Sequence, residues 1–210
     1  MLVVVSSALA TVPSAQAASD HSFLIPSETG PVHYPACSGP LTWSLHTPGI
    51  TDSGSTPVAE HRMWQQAFQQ LDDATDYTFV QLPDDSAATI SIHYTDRPAD
   101  LDLPITRLAP GTAGLGGIVD LAWSGTHWIA KGSVVALKPT ELRRWNHISG
   151  LRSWVARHEL AHALGLGHQD DPGSTMARKF SRPLSQPTYQ DKDFEQLNTL
   201  ARASCPKPLP

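Results

Sequence analysis

Alternating apolar and polar residues predict five strands along the chain. In the first, Leu41, Trp43 and Leu45 alternate with polar residues, as expected for a strand with one buried face. The same reasoning predicts four more strands, over residues 77–82, 88–94, 117–123 and 133–137. The stretch 97–117 is rich in proline and glycine, and we expect it to form a loop.

Three other stretches have apolar residues at helical spacing. The first begins at Thr56-Pro57, an N-cap residue followed by a first-turn proline, and extends to about residue 72. The second covers residues 149–164, with Ser149 as its predicted cap. The third is a C-terminal helix that begins with Asp191 and Asp193 and has one apolar face, formed by Phe194, Leu197, Leu200 and Ala201. This order of elements favours the α/β (α+β) fold class, with a sheet packed on helices.

The second predicted helix carries a candidate metal site. His158 and His162 are four residues apart, so both imidazoles lie on one helix face and point at a single ion. Zn²⁺ accepts histidine nitrogen and, in catalytic sites, takes three protein ligands and leaves one position open. Glu159 lies beside the first ligand, where a carboxylate reaches a water on the metal without binding the metal itself.

The residues after this helix extend the same pattern. Gly165 is expected to end the helix, because glycine adopts the left-handed conformation of a C-cap without steric cost. The chain then doubles back and supplies His168 as the third ligand, and Met176 follows shortly afterwards. The pattern H-E-x-x-H-x-x-G-x-x-H with a later methionine resembles that of the metzincin zinc endopeptidases. The short distance from His168 to Met176 is similar to that in the matrixin branch, especially small secreted bacterial matrixin-like proteases.

The resemblance implies a fold, a cofactor and a substrate-binding edge. The fold is a twisted mixed five-stranded sheet above the active-site helix, with a C-terminal helix, and the cofactor is one catalytic Zn²⁺ over an apolar floor at Met176. An edge strand, 117–123, pairs with extended substrate, and the loop after Met176 walls the pocket beside the scissile bond. Arg178 stands where the astacin and serralysin branches have a tyrosine, so no tyrosine ligand is expected.

Two alternative interpretations of the motif stay open at this point. His158 and His162 are also compatible with core histidines on a buried helix, but the third histidine and the methionine would then be coincidences. A purely structural zinc site is the other alternative. Such sites are normally closed by four ligands, often cysteines, and no cysteine lies near the motif.

Composition excludes several classes of protein. The formal net charge is −5 and we see no Lys/Arg cluster, which argues against a nucleic-acid partner. With 17% charged and 40% hydrophobic residues, the chain is neither disordered nor a membrane protein. Its 210 residues fit one metalloprotease domain, predicted over 37–210.

The N-terminal segment predicts export. Residues 1–17 contain an apolar run and end in Ala15-Gln16-Ala17, the small-x-small pattern of a secretory signal peptide. No Lys or Arg precedes the run, which is the pattern of a truncated start, and the run is too short to span a bilayer. A buried N-terminal strand is the alternative. Residues 18–36 are polar, contain proline and have no periodicity, so we expect a disordered leader.

The two cysteines are Cys37 and Cys205, near the ends of the predicted mature chain. An even count in an exported protein favours a disulfide, and matrixin-like bacterial chains have similarly placed cysteines. A rival interpretation makes Cys37 an inhibitory thiolate on the zinc, as in matrixin propeptides, but the sequence around it departs from that motif. Free thiols are the third alternative.

Further metal ions have weaker support. Four aspartates in or near the long loop are candidate calcium ligands, but solvated carboxylates are the favoured interpretation: Asp96, Asp100, Asp102 and Asp120. The histidine and aspartate pattern of a second, structural zinc is not found in residues 97–130. Asp170 and Asp171 lie near the motif as candidate partners for the histidines, without an assignment.

Together these features predict a secreted, monomeric, zinc-dependent endopeptidase. Glu159 is the expected general base, and an extended peptide or protein is the expected substrate. The predicted partners include no nucleic acid, and no membrane once the signal is removed. Two alternatives remain, a zinc-binding pseudo-protease that only binds a partner and a zinc amidase that acts on a non-peptide amide.

Overall fold

The structure is a computed structural model that describes residues 3–4, 26–27, 30–101, 111–180, 188–203 and 205. At its centre lies a sheet of five strands: β1 (Leu41–Leu45), β2 (Phe79–Gln81), β3 (Ile90–Tyr94), β4 (Gly114–Trp123) and β5 (Trp128–Leu137). The strands lie in the order β2-β1-β3-β5-β4. All are parallel except β4, which is antiparallel to β5 at one edge. The predicted α/β (α+β) fold with a mixed five-stranded sheet is therefore confirmed.

The described residues include four α-helices: α1 (Pro57–Ala74), α2 (Pro139–Arg144), α3 (Leu151–Ala163) and α4 (Asp191–Arg202). They also include three short 3₁₀ helices, over Ala36–Ser38, Thr51–Ser53 and Pro98–Leu101. Two short antiparallel pairs join Val3–Val4 to Lys179–Phe180 and Pro26–Ser27 to Gly30–Pro31. Among the described residues, no helix combines the length and the apolar character needed to cross a membrane.

Helix α1 begins as predicted, but α3 does not. The Thr56 side chain accepts a hydrogen bond from the backbone N–H of Ala59 at 3.2 Å, which confirms the N-cap. Helix α3 begins at Leu151 after Gly150, which has a φ of 77° and makes no side-chain cap bond, so the prediction of Ser149 as the cap was wrong. Gly150 has the left-handed backbone conformation that glycine adopts most easily. The helical residues therefore begin after Gly150, and Ser149 is too far from the helix start to cap it.

The hairpin of β4 and β5 is longer than predicted. Strand β4 begins at Gly114, within the stretch that we expected to be a loop. The prediction was wrong because the glycines here allow close packing and do not form a turn. A side chain at Gly116 would place its Cβ 1.9 Å from the carbonyl oxygen of Glu159, and one at Gly114 would lie 2.7 Å from the Glu159 Cγ. The absence of side chains lets β4 lie directly against helix α3.

The end of the predicted leader belongs to the domain. Val32 and Tyr34 are buried, and the Tyr34 hydroxyl lies 2.7 Å from the Ser133 Oγ, which donates to the carbonyl oxygen of Ala163 at the end of α3. Three alternating residues around His33 are too short a pattern to predict a strand, although His33 forms a parallel bridge to Ile129. These contacts extend the packed region to residues before 37, while the predicted domain boundary stays a prediction. Most of residues 1–29, including most of the predicted signal peptide, lies outside the described residues.

The two ends of the domain are joined covalently. Cys37 and Cys205 form a disulfide, as predicted, and their Cα atoms are 5.7 Å apart. The bond closes a loop of 168 residues in sequence separation. Removing a native disulfide from a small exported domain costs about 2–5 kcal/mol, mainly because the unfolded chain becomes less constrained.

A buried ion pair connects α3 to the rest of the core. Arg152 donates to the Glu60 carboxylate of α1 at 2.8 Å and to the backbone carbonyl oxygen of Ser53 at 2.6 Å. Glu60 also accepts a hydrogen bond from the Tyr94 hydroxyl of β3. Since Glu60 and Tyr94 are buried and every member has a partner, this network sets the position of α3 before the motif begins.

The close approach of β4 to α3 predicts that Gly116→Ala destabilises the fold. A Cβ only 1.9 Å from backbone requires the helix or strand to move, so we expect a loss of about 3 kcal/mol in the free energy of unfolding. Gly132→Ala is the matched control in β5, where the nearest atom is the Asp120 Cβ at 3.2 Å, and it should cost less than about 1 kcal/mol. Denaturant unfolding measures both, and equal midpoints for the two variants would contradict this role of the packing.

Candidate metal centre

Helix α3 buries the polar residues of the motif. His158, Glu159 and His162 are all 0% exposed, and His168 lies in the turn beyond the helix with part of its ring accessible. The ring centroids of His158 and His162 are 4.6 Å apart, and each lies 5.2 Å or less from that of His168. One ligand nitrogen from each ring lies within 4.8 Å of the other two. The structure therefore brings the three predicted ligands together.

The turn at Gly165 directs the chain from the helix to His168. Gly165 has a φ of 108°, and a Cβ there would lie 2.9 Å from the Val32 carbonyl oxygen. The backbone N–H of Leu166 donates back to the Ala161 carbonyl oxygen at 3.0 Å, which closes the helix end. Because any side chain at Gly165 would be strained, glycine is required by both conformation and space.

Backbone carbonyls orient the two helical histidines. The Nδ1 of His158 lies 2.7 Å from the carbonyl oxygen of Thr175, and the Nδ1 of His162 lies 2.6 Å from that of Leu166. A carbonyl oxygen only accepts hydrogen bonds, so each Nδ1 carries the hydrogen and each Nε2 carries a lone pair. These carbonyls fill the role for which Asp170 and Asp171 were considered.

Asp170 and Asp171 lie instead beside basic side chains. Asp170 is fully exposed and lies 3.8 Å from Arg178, and Asp171 pairs with Lys192 at the start of α4. Arg178 itself approaches the Nδ1 of His168 at 3.5 Å.

The resulting arrangement of lone pairs suits a cation. The Nε2 atoms of His158 and His162 are 3.0 Å apart, and in their neutral forms both present lone pairs to each other. Two facing lone pairs repel unless a proton or a metal ion lies between them. Burial lowers the pKa of His162 to about 3 and that of His158 well below its usual value, so protonation is disfavoured. The residues present therefore fit a divalent metal.

His168 has the same preference for the neutral form. Burial, and then the nearby charge of Arg178, lower its pKa to about 4. Neutral imidazole is the form that binds transition metals. All three rings are therefore in the neutral form at neutral pH.

Glu159 is a buried carboxylate with little solvation. Within the described residues, neither oxygen accepts a hydrogen bond of good geometry, although the backbone N–H of Gly116 is near enough to favour the charged form. Burial dominates and raises the pKa of Glu159 well above its usual value. An acid left this way inside a core is costly, and a strongly perturbed acid of this kind is a candidate functional group.

Met176 lies in a turn that holds one of the orienting carbonyls. Its side chain is fully buried in the main core, and its carbonyl oxygen accepts a hydrogen bond from the backbone N–H of Gln169 at 2.9 Å. The preceding residue, Thr175, supplies the carbonyl oxygen to His158. The turn therefore connects the position of Met176 to the orientation of a histidine ring, while the apolar floor beneath the metal stays a prediction.

Asp193 anchors this turn, a role that the sequence did not predict. The carboxylate is 0% exposed and accepts hydrogen bonds from the Ser174 Oγ at 2.7 Å, the Thr175 N–H at 3.3 Å and the Gln190 N–H at 2.9 Å. The sequence predicted for Asp193 only a favourable interaction with the dipole of the C-terminal helix. Asp193 is the N3 residue of a capping box with Gln190, and this local pattern was the available signal.

The calcium candidates show no comparable grouping. Asp96 accepts a hydrogen bond from the Thr140 hydroxyl at 2.6 Å, and Asp100 pairs with Arg97 at 3.0 Å. Asp102 lies outside the described residues, and Asp120 is exposed. Within the part of the chain that the structure describes, only the three histidines form a cluster suited to a metal ion.

Three convergent histidines followed by a buried glutamate form a candidate zinc site of the kind that metallopeptidases use. The family model of the matrixins matches residues 38–201, and the chain therefore belongs to the matrixin family of metallopeptidases. The resemblance inferred from the sequence is thereby confirmed. Comparison with curated proteins gave no significant match.

The metal site predicts a zinc content of close to one ion per chain. His162→Ala should lose most of the metal, because two imidazoles remain where a catalytic site needs three protein ligands. His147→Ala is the matched control, since His147 is exposed and stands outside the cluster. Elemental analysis of the purified proteins measures this, and an unchanged zinc content in His162→Ala would refute the three-histidine assignment.

The anchoring of the turn predicts that Asp193→Asn weakens both the fold and the site. Two backbone N–H donors and a hydroxyl would share a neutral acceptor, at a cost of about 1.5–3 kcal/mol in the free energy of unfolding. Zinc affinity should fall by about 10-fold or more, since the Thr175 carbonyl that orients His158 is no longer fixed. Asp191→Asn, exposed in the same helical turn, is the control for helix-dipole effects. Chelator competition measures the affinity, and equal values for both variants would contradict the anchoring role.

Proposed function

We propose that the protein is a secreted zinc-dependent endopeptidase in which Glu159 is the general base. Membership of the matrixin family supports a zinc metallopeptidase in general. The observation that carries the finer proposal is a poorly solvated, buried carboxylate that directly follows His158 in the chain, whose Nε2 lies 3.0 Å from that of His162. A structural zinc site would have no need of such a carboxylate.

His158, His162 and His168 would hold the metal. When bound, zinc acidifies a coordinated water, polarises the scissile carbonyl and stabilises negative charge on its oxygen. The carbonyl oxygens of Thr175 and Leu166 keep the two helical imidazoles in the tautomer that presents Nε2. Because these contacts come from backbone, neither ring needs a titratable side chain as its own hydrogen-bond partner.

Glu159 moves the proton. As the attacking water forms a bond to the carbonyl carbon, the carboxylate takes its proton, and it returns a proton to the leaving amine nitrogen when the C–N bond breaks. Burial raises the pKa of Glu159, which strengthens the carboxylate as a base. A cation held by the histidines would lower that pKa. The backbone of β4 at Gly114 and Gly116 holds the side chain in place.

The substrate would be an extended polypeptide bound along β4. Among the described residues, β4 has a neighbouring strand on one side only, so its other edge presents unpaired backbone groups. An extended peptide adds to such an edge through main-chain hydrogen bonds. Since Gly116 lies against Glu159, a peptide paired there would pass its backbone over the reacting groups.

Export is supported by the disulfide between Cys37 and Cys205, since such bonds persist in oxidising compartments. The same bond leaves no thiolate at Cys37 for the inhibitory role considered from sequence. The signal pattern that ends at Ala17 is consistent with the same route. We expect the exported protein to act as a monomer.

The general-base role predicts that Glu159→Gln retains zinc and loses activity. The amide leaves all three imidazoles in place but cannot accept the proton, so peptide cleavage should fall by at least about 10²–10⁴-fold. Glu195→Gln, an exposed glutamate on α4, is the control and should cleave at the wild-type rate. Cleavage of a peptide library, with zinc content measured in parallel, tests this.

Two outcomes would overturn the proposal in different ways. A Glu159→Gln variant that still cleaves at close to the wild-type rate would remove Glu159 from the mechanism. A wild-type protein that holds one zinc and cleaves no peptide would refute the endopeptidase and favour a binding module or an amidase with a non-peptide substrate.

A further inference from the structure

The far end of the β4–β5 hairpin exposes an apolar patch that the catalytic mechanism does not use. Of the six strongly exposed large hydrophobic residues among those described, four lie here: Val119, Leu121, Trp123 and Trp128. We call these four residues the hairpin patch. Trp123 is 51% exposed and Trp128 is 42% exposed. Exposed apolar groups that occur singly need no explanation, whereas a contiguous group that includes two tryptophans marks an interaction surface.

The patch is a preformed part of the sheet. Trp123 and Trp128 are directly opposite each other in the register of β4 and β5, and their rings meet edge to face with centroids 5.4 Å apart. Leu121 lies two residues before Trp123 and so shares its face of the sheet. Val119 continues the patch toward the active centre, beyond an irregularity in the register at Asp120. The rings brace each other, so little side-chain entropy is left to lose on binding.

The position of the patch connects it to the catalytic centre. Both lie on β4, where Gly116 contacts Glu159 and Val119 begins the patch three residues later. At about 3.3 Å per residue, Val119 is about 10 Å and Trp123 about 23 Å along the strand from Gly116. A peptide paired with the free edge of β4 would bring side chains to within about 5 Å of their cross-strand neighbours in the patch.

Size and charge favour a short peptide segment as the occupant. Two half-exposed tryptophans and two aliphatic residues offer roughly 300–400 Å². This is about half of the ~800 Å² per partner that a stable protein interface buries, which argues against a second copy of the chain. The hairpin carries one lysine, Lys131, and one aspartate, Asp120, so it lacks the basic cluster that binds anionic lipid.

We propose that the hairpin patch is an exosite for apolar side chains of a polypeptide substrate, about three to seven residues to one side of the scissile bond. The proposal rests on the endopeptidase function proposed above and adds a preference to it. Substrates with leucine or aromatic residues at that distance bind more tightly, because these side chains pack on Trp123 and its neighbours. Short peptides that end before the patch gain nothing from it.

Three synthetic peptides test the proposal with the zinc-loaded wild-type protein. All share the core cleaved in library profiling, or an alanine core if profiling finds no cleavage. One peptide ends two residues either side of the core, the second is extended by six residues on each side with alternating leucine and phenylalanine, and the third has serine in place of those residues. Cleavage kinetics and fluorescence anisotropy of labelled peptides give kcat/KM and the dissociation constant.

The apolar extension should raise kcat/KM and affinity by at least about tenfold over the serine extension, mainly through KM. The double variant Trp123→Ser with Trp128→Ser should abolish that ratio. Cleavage of the short peptide measures the catalytic centre alone. Val58→Ser, which also removes an exposed apolar group but on α1, is the control variant and should keep the wild-type ratio. An unchanged ratio in the double variant would overturn the exosite.

The remaining outcomes distinguish a peptide exosite from a structural effect of the tryptophans, a lipid-binding surface and a dimer interface. If no peptide is cleaved but tryptophan-dependent binding of the apolar peptide persists, the patch is supported and the endopeptidase function fails. Equal losses for the short and the long peptides would show a structural effect and overturn the exosite. Tryptophan-dependent sedimentation with phosphatidylcholine vesicles, or a tryptophan-dependent dimer in analytical ultracentrifugation, would replace the peptide with a lipid surface or a second copy.

Discussion

The contact between helix α3 and strand β4 is the constraint on which the site depends. At Gly116 the strand backbone lies so close to Glu159 that no Cβ fits between them. This contact removes Glu159 from water and places its carboxylate beside the edge where an extended substrate would bind. The raised pKa of Glu159 follows from that packing arrangement.

The histidines depend on a second set of backbone contacts, on the other side of the site. The carbonyl oxygens of Thr175 and Leu166 fix the rings of His158 and His162, and buried Asp193 in turn holds the segment that contains Thr175. Leu166 is held by the reversal at Gly165, which packs on Val32. The site is therefore built by the core on one side and by the C-terminal segment on the other, and the disulfide joins the ends of these parts.

Local patterns in the sequence predicted the elements whose stability is local. The Thr56 cap, the alternation in β1 and the spacing of the histidines each depend on neighbours within a few residues, and the structure has the corresponding cap, strand and cluster. The six-residue helix α2, Pro139–Arg144, went unpredicted, since it is too short to show a period.

Long-range packing explains what was predicted incorrectly or not predicted at all. Gly114 and Gly116 looked like loop residues because their reason lies in a helix more than 40 positions further along the chain. The burial of Val32 and Tyr34 likewise depends on distant partners, Gly165 and Ser133. Asp193 has the same explanation, since its partners at Ser174 and Thr175 come from a separate turn. A glycine can serve a turn or close packing, and a lone acid can cap a helix or anchor another segment. Only the tertiary structure shows which of these roles each residue has.

The central claim is that three neutral imidazoles hold a zinc ion with a position left open for water. X-ray absorption at the zinc edge of the purified protein measures the first coordination shell directly. We expect three imidazole nitrogens at about 2.0–2.1 Å together with at least one oxygen from solvent. A shell that contains sulfur, or one closed by four protein ligands with no exchangeable oxygen, would contradict the claim.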